Sequence, residues 1–567
     1  MPRNLWVDLL AIVAATAVFS GYLWVTLTSP IAFGDEGFYS SMGRWIAENK
    51  WYPAYYPLWG TDYIKTAATR VPMGFVFSSA FYMLGGEAGL KLMMPFFILL
   101  SALCIYACFR KLGDKKLGLL TAFVFITLPA SVKYGVLNYP ENQMIFFCTL
   151  SSLFFLLGEK FGKARYYLVS GMFAGFGACS DPAGFFLFPV FLLYLFFRNF
   201  ENWKKVLAVF LFAFLIFLPF VLRNLVLYSS PCLLFFQGEN CGTVNSVELP
   251  EIEHAPKFSR PEVSTGAGLF KFGIIQYLRF GFGASALLAI FGLVFALERV
   301  GKRVEMFFLS YLLVTVGASI YLNLPNPRVE ELLRYSLFAL PAIAFFASYF
   351  LKELLEKIEL PSSSEFYVWL IVVTSVALFS LCTFFLKFSV AYVILGVVAA
   401  SIAIFAAVEK RIKEGVFLVI LTLLLCSVAY YGALEVVNMQ KVKQFSHPFI
   451  EACEWVRENL PENATIAMIY AHPGEYNCYR RISAIQSLPY GNLIRLWAND
   501  TSYEYLKKLG IEYVFVEGFT VVPDRAFHPE SWPLKFIFYL ESSENFEKIY
   551  DSGNKYGIYG VKIYRVK

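Results

Sequence analysis

The chain has 567 residues, of which 58% are hydrophobic and only 16% are charged, and its formal net charge is +6. Apolar runs of roughly 20 residues, the length that crosses about 30 Å of hydrocarbon, recur along it. This composition excludes an ordinary soluble protein, and a small positive balance held in short loops requires no nucleic-acid partner. The alternating pattern of a transmembrane barrel is absent. We therefore predict a polytopic α-helical membrane protein.

Thirteen spans are predicted, starting with an N-terminal run that is too long for a removable signal peptide and lacks a small-residue cleavage site, so that we interpret it as an anchor. The stretch from Val71 to Leu84 is apolar but only about 14 residues long, which predicts an interfacial or re-entrant helix. A true span there would invert the topology of everything that follows. The predicted spans lie near 5–28, 90–109, 117–134, 142–158, 166–180, 183–198, 206–227, 272–297, 306–322, 335–352, 365–385, 387–408 and 415–432.

Lysines and arginines concentrate in loops that this map places on one side of the membrane, and the positive-inside rule makes that side cytoplasmic. These loops are 110–116, 160–165, 198–205, 299–303 and 410–413. The chain is thus predicted to be a multi-pass protein of the cell membrane with a cytoplasmic N-terminus. The loops 29–89 and 228–271, the segment 138–141 and the C-terminal tail then lie outside.

The composition changes after Tyr431, because no candidate span follows and helix-like and strand-like patterns alternate. Pro448 to Leu460 predicts an amphipathic helix, and 465–470 and 511–516 predict strands. Residues 551–554 predict the turn of a hairpin. We predict two domains: a transmembrane unit over 1–432, and a small α/β domain over 433–567 that is large enough to have its own core.

Two pairs of cysteines lie on the predicted outer side. Cys232 and Cys241 share one loop, and Cys453 and Cys478 share the C-terminal tail. Each pair is compatible with a disulfide or with free thiols in an oxidising compartment. The four histidines are scattered and no zinc-type spacing occurs, so a histidine-based metal site is disfavoured.

A set of acids and bases falls on this same predicted side. Carboxylates can deprotonate an attacking hydroxyl, and cations can neutralise an anionic leaving group. An arginine grips a phosphate with a planar fork. Together they suit a substrate with a phosphate head and a lipid tail. Alternatives remain: Arg334 as an interfacial anchor, and Glu141 as a helix N-terminal charge favoured by the dipole. The members of the set are Asp35, Glu36, Lys65, Arg70, Glu141, Arg334 and Tyr335.

Short motifs around these residues carry a family resemblance over about residues 1–432. The sequence Gly-Asp-Glu-Gly-Phe-Tyr at 34–39 follows the first span, Pro-Met-Gly at 72–74 replaces a Pro-Pro-Leu segment, and Tyr-Pro-Glu-Asn at 139–142 opens the fourth span. Asp181-Pro182 and Arg334-Tyr335 with Pro341 are weaker matches. The chain resembles the membrane-embedded glycosyltransferases of the C superfamily (GT-C), nearest to the protein O-mannosyltransferases and the lipid A aminoarabinose transferases.

The resemblance implies an inverting transfer of sugar from a polyprenyl-phosphate donor in the membrane lipid to an extracytoplasmic protein or lipid acceptor. It implies that Asp35 is the catalytic base with Glu36 as its neighbour, and that Glu141 is a second acidic site. Arg334, next to Tyr335, would hold the donor phosphate with one further cation. The usual Lys-Pro-Pro run is interrupted here, which leaves the choice between Lys65 and Arg70 open. A divalent cation between Asp35 and Glu141 also stays open.

Two other functions are compatible with a polytopic membrane protein. A polytopic transporter of a lipid-linked or anionic substrate is disfavoured because the chain shows no paired halves and no acids in the middle of its spans. An oligosaccharyltransferase of the same superfamily is disfavoured because residues 433–567 lack a Trp-Trp-Asp-like motif and the chain has no Asp-x-Asp pair. The sequons at Asn463 and Asn499 would make the chain a glycosylation acceptor at most.

Overall fold

The structure of the protein is a computed structural model, which describes part of the chain. The described residues are 19–31, 35–54, 56–58, 63–64, 72–229, 243–244, 282–297, 303–323, 337–356, 447–468, 471–484, 500–517, 532–557 and 560–567, with scattered positions between 423 and 440.

The first part of the chain is helical. Within the described ranges, four helices are long and apolar enough to cross a membrane, or five if the bent pair 115–127 and 129–135 forms one span. The chain is therefore a multi-pass membrane protein, as predicted. The predicted number of thirteen stays a prediction, since 365–385, 387–408, most of 415–432 and most of 5–28 lie outside the described residues. Residues 19–28 are helical, and the later helices are Glu36–Asn49, Met73–Leu112, Lys115–Thr127, Pro129–Gly135, Glu141–Phe161, Ala164–Ser180, Leu187–Phe197, Trp203–Tyr228, Ala284–Leu297, Arg303–Asn323 and Leu340–Glu356.

Small residues allow two of these helices to pack closely. A side chain at Gly171 would lie 2.5 Å from the backbone oxygen of Val209, and one at Gly175 would lie 2.7 Å from that of Ala213. Helices Ala164–Ser180 and Trp203–Tyr228 thus meet backbone to backbone at two places one turn apart. Small residues with this spacing are typical of helix pairs in membranes.

The 40-residue helix Met73–Leu112 is broken. Gly85 and Gly86 have non-helical backbone angles, and Gly86 has φ 60° and ψ −138°. A straight helix would separate Phe77 from Phe97 by about 30 Å, yet their rings lie 5.4 Å apart. The chain therefore folds back at the two glycines, and residues 73–84 form a separate short leg, which we call the re-entrant leg.

Both ends of the re-entrant leg contact the same group of elements. At its start, a side chain at Gly74 would lie 3.0 Å from Pro140. Just beyond its end, Glu87 accepts a hydrogen bond of 3.4 Å from the hydroxyl of Tyr476. Because Pro140 and Tyr476 both lie on the side that holds the loops after the first span, the leg runs along this side rather than across the helix bundle. This agrees with the predicted re-entrant helix.

Contacts divide the connections between helices into two sets. In one set, the side-chain nitrogen of Lys160 donates to the carbonyl of Leu112 at 2.6 Å, and Lys352 pairs with Asp114 at 2.7 Å. In the other set, strand β1 (Tyr63–Ile64) pairs antiparallel with strand β2 (Thr243–Val244). Of the predicted basic loops, the described parts of 110–116, 160–165, 198–205 and 299–303 belong to the first set, and the described parts of the predicted outer loops 29–89 and 228–271 belong to the second. Which set faces the cytoplasm stays a prediction.

Residues 447–567, which we call the C-terminal region, contain a five-stranded sheet. Its strands are β3 (Thr465–Met468), β4 (Arg481–Ala484), β5 (Tyr513–Glu517), β6 (Phe546–Asp551) and β7 (Val561–Val566), and the longer helices of the region are His447–Asn459, Ala471–Asn477, Asp500–Lys508 and Trp532–Ser542. The order of the strands in the sheet is β4-β3-β5-β7-β6. Strands β3 and β4, and β3 and β5, are parallel, whereas β7 runs antiparallel to β5 and β6. The predicted hairpin is present, but its connection is longer than the predicted turn at 551–554, because a short helix, Gly553–Tyr556, intervenes.

A disulfide joins Cys453 to Cys478 within this region. It fastens helix His447–Asn459 to the end of helix Ala471–Asn477, 25 residues later in the chain. The disulfide alternative at this pair is therefore confirmed, whereas Cys232 and Cys241 lie outside the described residues. The boundary predicted between 432 and 433 falls where only scattered positions are described and stays a prediction.

Candidate active site

The acidic pair stands at the start of a helix, not in the extended or turn segment that the sequence predicts. Asp35 is the N-cap of helix Glu36–Asn49, with φ −66° and ψ −7°, and its carboxylate makes no capping hydrogen bond. We call this element the loop helix. Asp35 is half-buried, whereas Glu36, the first helical residue, is only 2% exposed. Of the two neighbouring acids, Asp35 is thus the more exposed one.

Glu36 is held by the segment that leads to Glu141. Its Oε1 accepts a hydrogen bond of 3.3 Å from the backbone N–H of Asn138. The side-chain nitrogen of Asn138 donates to the hydroxyl of Ser40, one turn further along the loop helix, at 2.8 Å. The Ser78 hydroxyl on the re-entrant leg lies 3.5 Å from the Asn138 amide. A single buried asparagine therefore connects the loop helix, the re-entrant leg and the entry to helix Glu141–Phe161.

Close packing fixes the loop helix against the re-entrant leg. A side chain at Gly43 would lie 2.4 Å from Cβ of Ser78, so only glycine fits there. Aromatic rings fill the rest of this contact: the Phe38 ring lies 5.5 Å from that of Phe75 and 4.8 Å from that of Tyr56. Edge-on pairs at these distances are favourable beyond the area they bury. The loop helix is therefore a fixed element of the site.

Glu141 is the first residue of its helix and is 3% exposed. Its backbone position at a helix N-terminus favours a negative charge, and its role in a site stays a prediction. Because Glu36 is bonded to Asn138, three residues upstream, the structure brings two of the predicted acidic positions to one place.

The predicted phosphate-binding residues lie outside the described residues, so their contacts stay predictions. They are Lys65, Arg70, Arg334 and Tyr335. Their flanking elements are described. Lys65 directly follows β1, which is paired with β2. Arg334 precedes the buried turn Leu337–Ala339, in which the ring of Phe338 stacks on Tyr311 at 4.4 Å.

A further cation on this side is not among the predicted site residues. Arg223, near the end of helix Trp203–Tyr228, donates from Nη2 to the carbonyl of Pro53 at 2.8 Å, and its guanidinium lies 4.6 Å from the ring centre of Tyr52. Tyr228 donates to the carbonyl of Ala54 at 2.6 Å. These bonds fasten the chain just after the loop helix. An arginine within an otherwise apolar span was the available signal.

Among the described residues, no group of three or more His, Cys, Asp or Glu side chains has an arrangement that could hold a metal ion. The predicted cation between Asp35 and Glu141 stays a prediction. The described residues place a half-buried carboxylate next to a buried one.

Comparisons with known proteins agree with this architecture. Residues 69–223 match the family model described as dolichyl-phosphate-mannose-protein mannosyltransferase. No curated protein matches the chain. The structure of the archaeal oligosaccharyltransferase AglB from Archaeoglobus fulgidus, in complex with an inhibitory peptide and a dolichol-phosphate, is similar with a TM-score of 0.59 and 15% identity, over 96% of this chain and 73% of its own. ArnT from Cupriavidus metallidurans, bound to undecaprenyl phosphate, is similar with a TM-score of 0.59 and 13% identity, over 93% of this chain and 95% of its own.

These findings define the fold of the chain as the one that AglB and ArnT share. The fold extends over nearly the whole chain, and the sequence signature of the mannosyltransferase family covers the re-entrant leg and the helices up to Arg223. The resemblance predicted from the sequence is therefore confirmed, and a transporter is not favoured.

Proposed function

We propose that the protein is an inverting glycosyltransferase that moves a sugar from a polyprenyl-phosphate donor to an extracytoplasmic protein or lipid acceptor. The observation that carries the proposal is the placement of Asp35, a half-buried carboxylate at the head of a fixed helix, beside the buried Glu36. The lipid phosphates named for the AglB and ArnT structures support a lipid-linked donor for this chain as well.

In the proposed reaction Asp35 accepts the proton of the acceptor hydroxyl or amine as that group attacks C1 of the sugar. The bond between C1 and the phosphate oxygen breaks on the opposite face, so the anomeric centre inverts and the polyprenyl phosphate leaves as an anion. Arg334, with Lys65 or Arg70, neutralises this anion, and Tyr335 and Glu141 line the donor and acceptor sites. General-base assistance of this kind contributes about 10²–10⁴-fold.

Glu36 orients the site and does not share the proton transfer. It is buried and bonded to Asn138, so its carboxylate holds the start of the loop helix in place. A divalent cation, if the reaction uses one, would be bound between Asp35 and Glu141.

The proposal includes an orientation in the membrane. Thirteen spans with a cytoplasmic N-terminus would place the α/β domain 433–567 outside, with the catalytic carboxylate. A reporter that is active only outside the cytoplasm, fused after Lys567, is expected to be active. Activity of a cytoplasmic reporter at that position would overturn the orientation.

The deciding experiment is direct. The purified protein is incubated with radiolabelled polyprenyl-phosphate sugars and a membrane extract, and the label is followed into protein and into lipid. The Asp35→Asn protein serves as the negative control, and Asp114→Asn, which changes a helix cap on the opposite side, serves as the matched control. Transfer by the wild type and by Asp114→Asn, but not by Asp35→Asn, is expected. No transfer from any donor by the wild type would overturn the proposed function.

A further inference from the structure

The loop helix is held on two faces. One face packs on the membrane helices and the re-entrant leg, as described above. The other contacts the C-terminal region at residues 471–482, which we call the docking segment. Ser41 donates to Glu475 at 3.4 Å, and the side chain of Asn477 donates to the carbonyl of Ile31 at 2.6 Å. Residues more than 400 positions apart thus meet beside the acidic pair.

The most charged part of this contact is a cluster around Tyr479. The guanidinium of Arg44 lies 3.6 Å from the centre of the Tyr479 ring, and the Tyr479 hydroxyl donates to Glu48. Arg44 also pairs with Glu48 at 2.9 Å, and Tyr82 on the re-entrant leg lies 3.4 Å from the same carboxylate. A cation over an aromatic face and a charge-assisted hydrogen bond are both directional. The position of one tyrosine therefore constrains the loop helix in two directions.

The backbone of Tyr479 is itself constrained. Its φ is 51°, in the left-handed region that bulky residues rarely occupy. Such a conformation persists only where its surroundings determine it. Here both neighbours are fixed: Cys478 is joined to Cys453 by the disulfide, and Arg480 donates to the carbonyl of Arg457 at 2.9 Å. The C-terminal region therefore presents Tyr479 to the loop helix from a rigid base.

A change in the position of Arg44 would be transmitted to the acidic pair because the loop helix is continuous. Arg44 is nine residues from Asp35, about 14 Å along a helix. A tilt of a few degrees at Arg44 would move Asp35 by about 1 Å, and a displacement of that size is enough to cost about 100-fold in rate at a reacting centre.

We propose that Tyr479 is a positioning residue: through Arg44 and Glu48 the C-terminal region sets the orientation of the loop helix and thereby the place of the Asp35 carboxylate. The inference rests on the proposed function. It adds that the C-terminal region acts on turnover through the orientation of the loop helix.

The test uses the full-length protein with two substitutions at one position. Tyr479→Asn removes the ring and suits a left-handed backbone, so a loss of function would not come from new strain. Tyr479→Phe keeps the ring under Arg44 and removes only the hydroxyl. The matched control is Tyr556→Asn, since Tyr556 donates to Glu451 and lies 4.9 Å from Lys555 in an equivalent cluster that stays within the C-terminal region.

Two readouts separate the inference from the proposed function. The first is amide hydrogen exchange over 36–49, which is expected to become at least about tenfold faster in Tyr479→Asn and to stay unchanged over 447–468. The second is steady-state transfer, in which kcat is expected to fall about 10–100-fold with the donor KM changed less than about twofold. Tyr479→Phe is expected to lie between the wild type and Tyr479→Asn, and Tyr556→Asn to match the wild type.

The possible outcomes of these measurements support or overturn the inference. Unchanged exchange over 36–49 in Tyr479→Asn would show that the loop helix does not depend on Tyr479 and would overturn the inference. Faster exchange with normal kcat would overturn the positioning role. An equal loss in Tyr556→Asn would reduce the effect to general stability. If the wild type transfers no sugar at all, the proposed function fails, while the exchange measurement still decides whether Tyr479 holds the loop helix.

Discussion

Helix Glu141–Phe161 carries a buried acid at each end, and the two ends differ in their surroundings. Glu141 and Glu159 are separated by about 27 Å along the helix. Glu159 is 5% exposed and accepts hydrogen bonds from Tyr167 at 2.7 Å, from Tyr194 at 2.8 Å and from Asn202 at 3.4 Å. These donors come from three further elements, so at this end Glu159 holds neighbouring helices together.

The Glu141 end is built differently, because the acids there belong to separate elements and one of them, Asp35, is half-buried rather than enclosed. The comparison shows that burial of an acidic residue does not by itself indicate a catalytic role. A carboxylate enclosed by hydroxyl and amide donors stabilises the fold, whereas the half-buried Asp35 beside the buried Glu36 is the carboxylate that we propose as the base. Substitutions at the two ends should therefore change different properties.

The largest expected effect is that of Asp35→Asn. The amide keeps the size of the side chain but cannot accept a proton at neutral pH, so single-turnover transfer should fall about 10²–10⁴-fold. Donor binding, measured separately with a labelled donor, should be retained. Normal transfer would move the role of base to Glu141, and loss of donor binding would mean that Asp35 holds the loop helix or a cation instead.

The next effect is expected at Arg334. Arg334→Ala removes a cation from the leaving phosphate and should lower kcat/KM about 100-fold, whereas Arg334→Lys keeps the charge and loses only the planar fork, so it should retain more activity. Steady-state rates at several donor concentrations distinguish the two. Similar, near-wild-type rates in both variants would return Arg334 to the role of an interfacial anchor.

At the opposite end, Glu159→Ala should affect stability and not chemistry. It leaves the hydroxyls of Tyr167 and Tyr194 buried without their acceptor, at a cost of about 1–3 kcal/mol. Thermal unfolding in detergent should show a lower midpoint, with Glu159→Gln less affected because an amide oxygen still accepts. Turnover per folded molecule should match the wild type, and a selective loss of turnover would contradict the contrast between the two ends.

The smallest effect is expected when the pH is lowered, through Glu48, which accepts a hydrogen bond from Tyr479 of the docking segment. Burial tends to raise the pKa of Glu48, but the hydrogen bonds from Tyr479 and Arg44 and the charge of Arg44 bring it below the ordinary value of 4.5. A group whose pKa is lower in the folded protein contributes its full stability above the ordinary value and loses it as the pH falls through the lowered one. The unfolding midpoint should therefore decline slightly more between pH 6 and 3 in the wild type than in Glu48→Gln.

The control for that experiment is Glu458→Gln, at an exposed acid of the C-terminal region outside the cluster around Tyr479. Its unfolding midpoint is compared with that of the wild type at both pH values. Identical pH dependence in Glu48→Gln and the wild type would show that the cluster around Tyr479 contributes no stability.

Much of the helical part could be predicted from the sequence because lipid leaves few alternatives for an apolar run. The short leg before Gly85 and Gly86 was predicted from its length alone. The loop helix was not, because Gly37 and Gly43 disfavour an isolated helix and its stability comes from burial between two other elements. Sequence patterns report local preference, whereas this helix depends on tertiary packing.

The candidate site shows the same division. Asp35, Glu36 and Glu141 were found from motif and charge, and the structure brings the segments that carry them together through Asn138. Tyr479 could not be found in that way, since its partners Arg44 and Glu48 lie more than 430 positions away and an exposed-looking tyrosine in a polar stretch carries no signal. Contacts at such separation follow from the fold and not from any local pattern.

The break at Gly86 has a consequence for how the whole chain is threaded through the bilayer. Because the backbone turns back there, residues 73–84 lie against the helix that follows and do not extend it, so the 40 residues from Met73 to Leu112 have the length of one membrane span and a short leg. The ψ of −138° at a φ of 60° is open to glycine and costly for other residues. Any other residue at position 86 would therefore strain the turn that keeps the re-entrant leg beside the loop helix.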